Sequence, residues 1–227
     1  AALGAQTAFL ARRWQAAPPG LARFEAVTGL LYAGLSLIGM ARHVPAATEA
    51  LASACARDID AGGAIPGRNP EELLEIFTLL SWAVQALSDV GQEAPAALTA
   101  AITRTAPVLR SLRHTDGGLA RFHGGGRGME GRLDHALAIT GNTATARQRL
   151  AMGYVRLDGG RTSVIVDAAQ PPGGAASTRA HASALAFELT SNRRALVVSC
   201  GSGLSFGPEW EKAGRATLSH STLSIDG

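Results

Sequence analysis

Near residue 150 the spacing of apolar residues changes, and this change constrains the possible folds more than any other feature of the chain. Before it, apolar residues recur every three to four positions, the period of a helix stripe. After it they alternate, the period of a strand face. Runs of helices followed by runs of strands make a multidomain α+β chain. The expected division is a helical portion over residues 1–148 and an antiparallel, β-sandwich-like portion over 149–227.

Asn69-Pro70-Glu71-Glu72 opens the clearest helix. Asn69 is a good cap for free backbone N–H groups, Pro70 suits the first turn, and Glu72 sits where a capping box wants its acid. Leu73, Leu74, Ile76, Phe77, Leu80, Val84 and Leu87 follow at helical spacing, and Gly91 is the stop. Further helices are expected near 3–16, 20–40, 46–60, 95–112 and 129–140. In the second part, Asp158-Gly159-Gly160 marks a hairpin turn. His181 to Thr190 reads as a strand, with Ala182, Ala184, Ala186, Glu188 and Thr190 on one face. Ser191 to Arg194 turns the chain into a strand over 195–200. The last residues, 223–227, read as a strand entering a turn with no partner after it. Together with Ala1 at the start, this suggests an internal piece of a longer protein.

With 227 residues, 46% of them hydrophobic, the chain can bury a core without disulfides. Cys55 and Cys200 have neither disulfide-framework nor metal spacing. No apolar run reaches the ~18 residues of a membrane span. All but one of the 21 Lys and Arg are arginine, the exception being Lys212, yet no basic tract suggests nucleic acid. Gly117 to Gly128 lacks a preceding strand and a Lys-Ser/Thr pair, so it is not a phosphate cradle; it reads as a mobile interdomain loop or, alternatively, as a cleft loop whose small residues let backbone approach a ligand. Of the six histidines, His43 and His135 fit a helix end and a helix surface, and His114 and His123 flank the glycine loop. Tyr32 lies on an apolar helix and Tyr154 begins a strand.

The blocks around His181 and His220 carry a resemblance. Arg179-Ala180-His181-Ala182-Ser183-Ala184-Leu185-Ala186-Phe187-Glu188-Leu189 resembles the "HGHADALSFEL" block of heparinase II/III-like proteins. Val197 to Gly201 resembles the strand that follows it, and Arg215 to Gly227 the "RSTAAHNTVVVDG" block. Gly62 to Pro70 and Asp116 to Phe122 are similar to helical segments of the same family. The resemblance implies a partial (α/α) toroid followed by a layered antiparallel β domain. It also implies a cell-envelope or periplasmic setting and an acidic, uronate-bearing polysaccharide substrate. The implied chemistry is β-elimination by a polysaccharide lyase. A base takes the proton α to the uronate carboxylate while donors neutralise that carboxylate.

By that resemblance His181 and Arg179 stand at catalytic positions, and Arg68 and Asn69 at carboxylate-binding ones. The implied cofactor is a structural Zn2+ on His181 and His220, with Ser199 at the position of the family's third ligand, an Asp. Arg179 replaces the first His of the His-x-His block and cannot serve as a base at neutral pH. Ala64, Glu71 and Glu72 stand near the toroid's usual His and Tyr-His. These replacements sustain the rival reading, a non-catalytic glycan-binding protein on the same scaffold.

Overall fold

The structure is a computed structural model, and it describes residues 2–141 and 150–225. The expected boundary at 148/149 lies outside the described residues, as do Asp226 and Gly227.

Among the described residues six α-helices come first: α1 (Ala2–Arg13), α2 (Leu21–Ser36), α3 (Val44–Asp58), α4 (Pro70–Asp89), α5 (Ala96–Ser111) and α6 (Arg132–Thr140). The strongest sequence signal is met at α4. Asn69 Oδ1 accepts from the backbone N–H of Glu71 at 2.9 Å and of Glu72 at 3.1 Å. The expected capping box does not close. Glu72 Oε1 instead accepts, at 3.4 Å, from the N–H of Leu21, pinning the start of α2. Gly91, at φ +72, ends the helix by donating to the carbonyl of Ser88. The broad apolar stripe of α4 packs on α2, α5 and α6. Phe24, Leu31, Leu51, Leu73, Phe77, Leu80, Leu98 and Leu109 form the centre of one continuous core.

Four strands follow in the order β1 (Tyr154–Gly159), β2 (Thr162–Asp167), β3 (Phe187–Ser191) and β4 (Arg194–Val197), all antiparallel neighbours. The β1–β2 turn falls where Asp158-Gly159-Gly160 predicts it, with Gly160 at φ +58. Asn192 and Arg193, at φ +50 and +65, make the β3–β4 turn with both central residues left-handed.

The strand expected over 181–190 is shortened. Leu185 takes φ +60 and Ala186 donates to the carbonyl of Ser183, so residues 181–186 form a loop that turns into β3. The strand expected over 195–200 is β4, ending at Val197. Residues 223–225 are exposed and outside any strand. A helix that the alternation did not predict, α7 (Pro208–Arg215), lies between β4 and His220.

The sheet turns a polar face inward. Ser163, Asp167, Glu188 and Thr190 are fully buried beside Ile165 and Tyr154, whereas Leu157 and Phe187 on the other face meet solvent. Buried polar groups need partners, and most of theirs come from the loop linking α5 to α6. Ser163 and Thr190 pair at 2.8 Å, and Thr190 also meets Thr115 at 3.0 Å. This loop and the polar sheet face together build the site.

A buried histidine and carboxylate junction as the candidate site

Arg68 is the hinge pin of the junction. It adopts φ +52, a left-handed conformation that costs a non-glycine residue about 1 kcal/mol or more. That turn sends its side chain under the sheet while Asn69 goes on to cap α4. Nε donates to the carbonyl of Met152 at 3.0 Å, Nη1 to Gln170 at 2.8 Å and Nη2 to Gly153 at 3.2 Å. Nη2 also forms a close ion pair with Asp167 Oδ1. The guanidinium lies 4.7 Å from the centre of the Tyr154 ring. Gly153 must be glycine, since a Cβ there would come within 2.6 Å of Arg68 Nη2. Tyr154 donates its hydroxyl to the carbonyl of Arg68 at 2.6 Å and stacks on Phe122. Burial raises its pKa well above the ordinary value. It is a structural phenol, held protonated.

Asp167 receives more than Arg68. Ser183 Oγ donates to Oδ2 at 3.1 Å, and His123 Nε2 stands 3.3 Å from the same oxygen. Burial alone would raise the Asp167 pKa, but His123 and Arg68 outweigh it and hold the carboxyl below the usual value. The His123 tautomer follows from its other nitrogen. Nδ1 accepts the backbone N–H of His181 at 3.2 Å, so the proton sits on Nε2, facing Asp167.

Above this layer, His181 Nδ1 and His220 Nε2 lie 3.3 Å apart, and His220 Nδ1 lies 3.3 Å from Ser199 Oγ. Burial lowers the His181 pKa to about 4, helped by the nearby His220 and His123 rings and the Arg215 guanidinium, beside which a charged imidazole would be disfavoured. Burial and His123 lower that of His220 too. Both rings are therefore neutral near pH 7. Beneath Ser199, Glu188 Oε1 accepts the N–H of Ser199 at 2.8 Å and of Arg121 at 3.2 Å, and Oε2 meets His114 Nε2 at 2.9 Å.

The glycine loop is not a loose linker. The N–H of Gly126 donates to Glu71 Oε2 at 2.6 Å, and Gly125 is buried against Asn69. A Cβ on Gly124 would lie 3.3 Å from His181 Nε2, 3.7 Å from Ser202 Cβ and 3.9 Å from Asn69 Nδ2. These three side chains thus face one small cradle floored by a glycine with φ +84. Close backbone approach is what glycine permits there.

The expected site residues therefore separate. His181, His220, Ser199 and Asn69 come together. Arg68 adjoins them but is turned inward, all its nitrogens engaged, and so is not open to a substrate carboxylate as the sequence suggested. Arg179 is exposed, at the end of a short 3-10 turn over Gly174–Arg179, with no ion pair among the described residues. His114 and His123, which the sequence places on the flanks of the glycine loop, are buried against Glu188 and Asp167. Asp167 and Glu188, the acids of the junction, carried no motif. The usable signal was the placement of Asp167 at the end of β2 and of Glu188 second in β3, on the strand face that turns inward, where an unpaired acid is costly.

The donors do not fit the zinc that the resemblance implies. They are two imidazoles directed at one another and a neutral hydroxyl, and no group of three His, Cys, Asp or Glu converges for a metal among the described residues. Structural zinc takes four ligands, usually Cys or His. No described helix is long and apolar enough to cross a membrane.

Comparison with known proteins gives the fold its context. The family described as heparinase II/III-like, C-terminal, matches residues 142–227. FtsZ-localized protein C of Caulobacter vibrioides (strain NA1000 / CB15N) is 35% identical over 163 residues, which cover 70% of this chain and 27% of that protein. A crystal structure of heparinase III superposes with TM-score 0.76 at 17% identity, over 98% of this chain and 41% of that one. A heparan sulfate lyase HepC mutant from Pedobacter heparinus gives TM-score 0.70 at 17% identity, over 98% of this chain and 39% of that one. The chain thus spans about a quarter of the curated relative and about two fifths of these structures, whose low identity speaks for the fold. The whole chain shares the fold of these structures, and residues 142–227 belong to the heparinase II/III-like, C-terminal family.

Proposed function

We propose that this chain forms the glycan-facing junction of a polysaccharide-lyase-type protein that holds an acidic, uronate-bearing glycan in the cell envelope without cleaving it. One observation carries the reading. The guanidinium best placed to neutralise a uronate carboxylate, Arg68, is already neutralised by Asp167 and three backbone carbonyls. β-Elimination needs that neutralisation, because the α proton is otherwise too weakly acidic. The nearest bases are poor ones. His181 is a weak imidazole with its pKa near 4, and the Tyr154 phenol is locked to a carbonyl. Exposed Arg179 supplies charge for binding an anion but no base. The name of the Caulobacter relative, FtsZ-localized protein C, points to a role defined by location, in keeping with a non-catalytic scaffold.

A second reading, elimination, is favoured by the cradle at Gly124, where Asn69 Nδ2 and His181 Nε2 could meet a carboxylate and its neighbouring carbon. The test uses the full-length protein with heparin, heparan sulfate, alginate and other acidic exopolysaccharides. Calorimetry follows binding, and ultraviolet absorbance follows unsaturated uronate. Binding with no rise in absorbance is expected. A rise that vanishes in His181→Ala would replace the proposal with the lyase reading.

A further inference from the structure

We propose that the α5–α6 loop is a strap that locks the sheet onto the helices. The two parts then open together or not at all, and the cradle at Gly124 keeps a fixed width whether or not anything is bound in it. The change from helical to alternating spacing divides the chain in sequence, and relative motion is the default between two parts divided in this way. The contacts across this boundary remove that freedom.

The strap is tied to the sheet along most of its length. The carbonyl of Arg113 accepts from Arg156 Nη1 of β1. His114 Nε2 meets Glu188 Oε2 at 2.9 Å, and Thr115 Oγ1 meets Thr190 Oγ1 at 3.0 Å. The N–H of Arg121 donates to Glu188 Oε1 at 3.2 Å. Phe122 stacks on Tyr154 with ring centres 4.8 Å apart, and His123 accepts the N–H of His181 while facing Asp167. On the helical side, Glu71 Oε2 accepts the N–H of Gly126 at 2.6 Å. Glu188, Thr190 and Asp167 are at most 1% exposed. A small rotation of the sheet would strip these groups of their partners before water could replace them, and an unpaired buried polar group is costly. Partly opened arrangements are therefore the least favourable ones.

Backbone strain points the same way. Six described residues other than glycine have a left-handed φ, and four of them stand at this junction: Arg68 (+52), His123 (+47), Met152 (+52) and Leu185 (+60). The other two, Asn192 and Arg193, make the β3–β4 turn. The four are linked to one another through Asp167 and its neighbours. Arg68 Nε donates to the carbonyl of Met152 at 3.0 Å, and the N–H of Leu185 donates to the carbonyl of Asp167 at 3.0 Å. The Asp167 carboxylate holds Arg68 and faces His123. Arg68 and His123 belong to the helical side, Met152 and Leu185 to the sheet side. Strained residues persist only where the surroundings over-determine them. Each side therefore holds the other's strain, and undocking releases both at once.

The test is native-state hydrogen exchange of the full-length protein, read by mass spectrometry over a series of low urea concentrations. The slowest amides of β2 and β3 are expected to share one opening equilibrium and one urea dependence with the slowest amides of α4. A sheet that opens about tenfold or more readily than α4, with a shallower urea dependence, moves on its own and overturns the lock. A second arm uses Leu185→Val. Leu185 is 65% exposed, so little packing is lost, whereas a β-branched residue at φ +60 adds strain. Exchange is expected to quicken about fivefold, in α4 as much as in β2 and β3. Quickening confined to the sheet, or none at all, overturns the proposal.

Discussion

Arg68→Met is the sharpest test of the junction, because it removes one half of a buried ion pair and leaves the other. Asp167 is 1% exposed, and without Arg68 it keeps only Ser183 Oγ and the 3.3 Å contact of His123. Breaking a buried pair by removing one partner costs about 3–5 kcal/mol. The carbonyls of Met152, Gln170 and Gly153 lose their donor as well. At an m-value of about 2 kcal/mol/M, the urea midpoint should fall by about 1.5–2.5 M at pH 7. The pH dependence gives the argument its sign. In the wild type the Asp167 pKa is depressed, so its contribution is present above the unfolded carboxyl range and is lost as pH falls through the folded value. In Arg68→Met burial prevails and the folded pKa rises above the unfolded one, so the penalty is full at neutral pH. It shrinks as acid protonates Asp167. The double variant Arg68→Met/Asp167→Leu should recover much of the loss, since an apolar pair of similar volume removes the stranded charge. The assay is urea unfolding of the full-length protein followed by far-ultraviolet circular dichroism. A loss below about 1 kcal/mol at pH 7, or a loss that does not change with pH, would refute the reasoning.

Three other perturbations probe the upper layer. Gly124→Ala places a methyl 3.3 Å from His181 Nε2 at φ +84 and should cost about 1–2 kcal/mol. Denaturation should show that loss, and calorimetry should show glycan binding abolished; unaltered glycan affinity would remove the cradle from the binding site. His181, with its pKa near 4, should stay neutral in the folded state, so the unfolded chain binds more protons between about 6.5 and 4. Stability should fall as pH drops through that window and the fall should flatten in His181→Gln, with imidazole NMR titration locating the folded pKa; a His181 titration at the ordinary value would contradict the burial argument. Ser199→Asp puts a carboxylate beside His220 Nδ1, now 3.3 Å from a hydroxyl. The wild type should lose zinc on dialysis and Ser199→Asp should retain it by elemental analysis, whereas tight zinc in the wild type would show that ligands from elsewhere complete the site.

What could be read in the sequence was what depends on neighbours along the chain. The Asn69 cap, the apolar stripe of α4 and the Asp158–Gly160 turn are local, and all three are found. The pairing of His181 with His220 came from resemblance, not from spacing. What escaped was decided across long separations: Arg68 meets Asp167 at 99 positions, and His114 meets Glu188 at 74. No period encodes such a pair. The alternation after 181 also misled in a specific way. It put Phe187 and Leu189 on one face and Glu188 and Thr190 on the other, and hydrophobicity would choose the first as the core. The sheet buries the second, because the α5–α6 loop supplies backbone donors and hydroxyls that satisfy it. Helix α7 was missed for the opposite reason. It is short and polar, and tertiary ties at Gly203, Gly214 and Arg215 hold it where intrinsic propensity would not.

The destination of each positive charge separates binding from chemistry at this junction. Only interactions stronger in the transition state than in the ground state accelerate a reaction. In elimination the enolate-like charge develops on the uronate carboxylate, so a donor must be free at that point and gain strength as the proton leaves. Arg68 cannot do this, because a substrate carboxylate would have to displace Asp167, an acceptor held permanently in place by the fold. Arg179 is exposed two residues before His181, and half-buried Arg215 donates to the carbonyl of Ala180 beside it, so both stand outside the layer that holds Asp167. Charges on a rim attract and orient an anionic chain and set its rate of arrival, and they contribute equally before and after any proton moves. The ion pair that makes this junction rigid therefore removes Arg68 from elimination chemistry, in keeping with the proposal that the protein holds an acidic glycan without cleaving it.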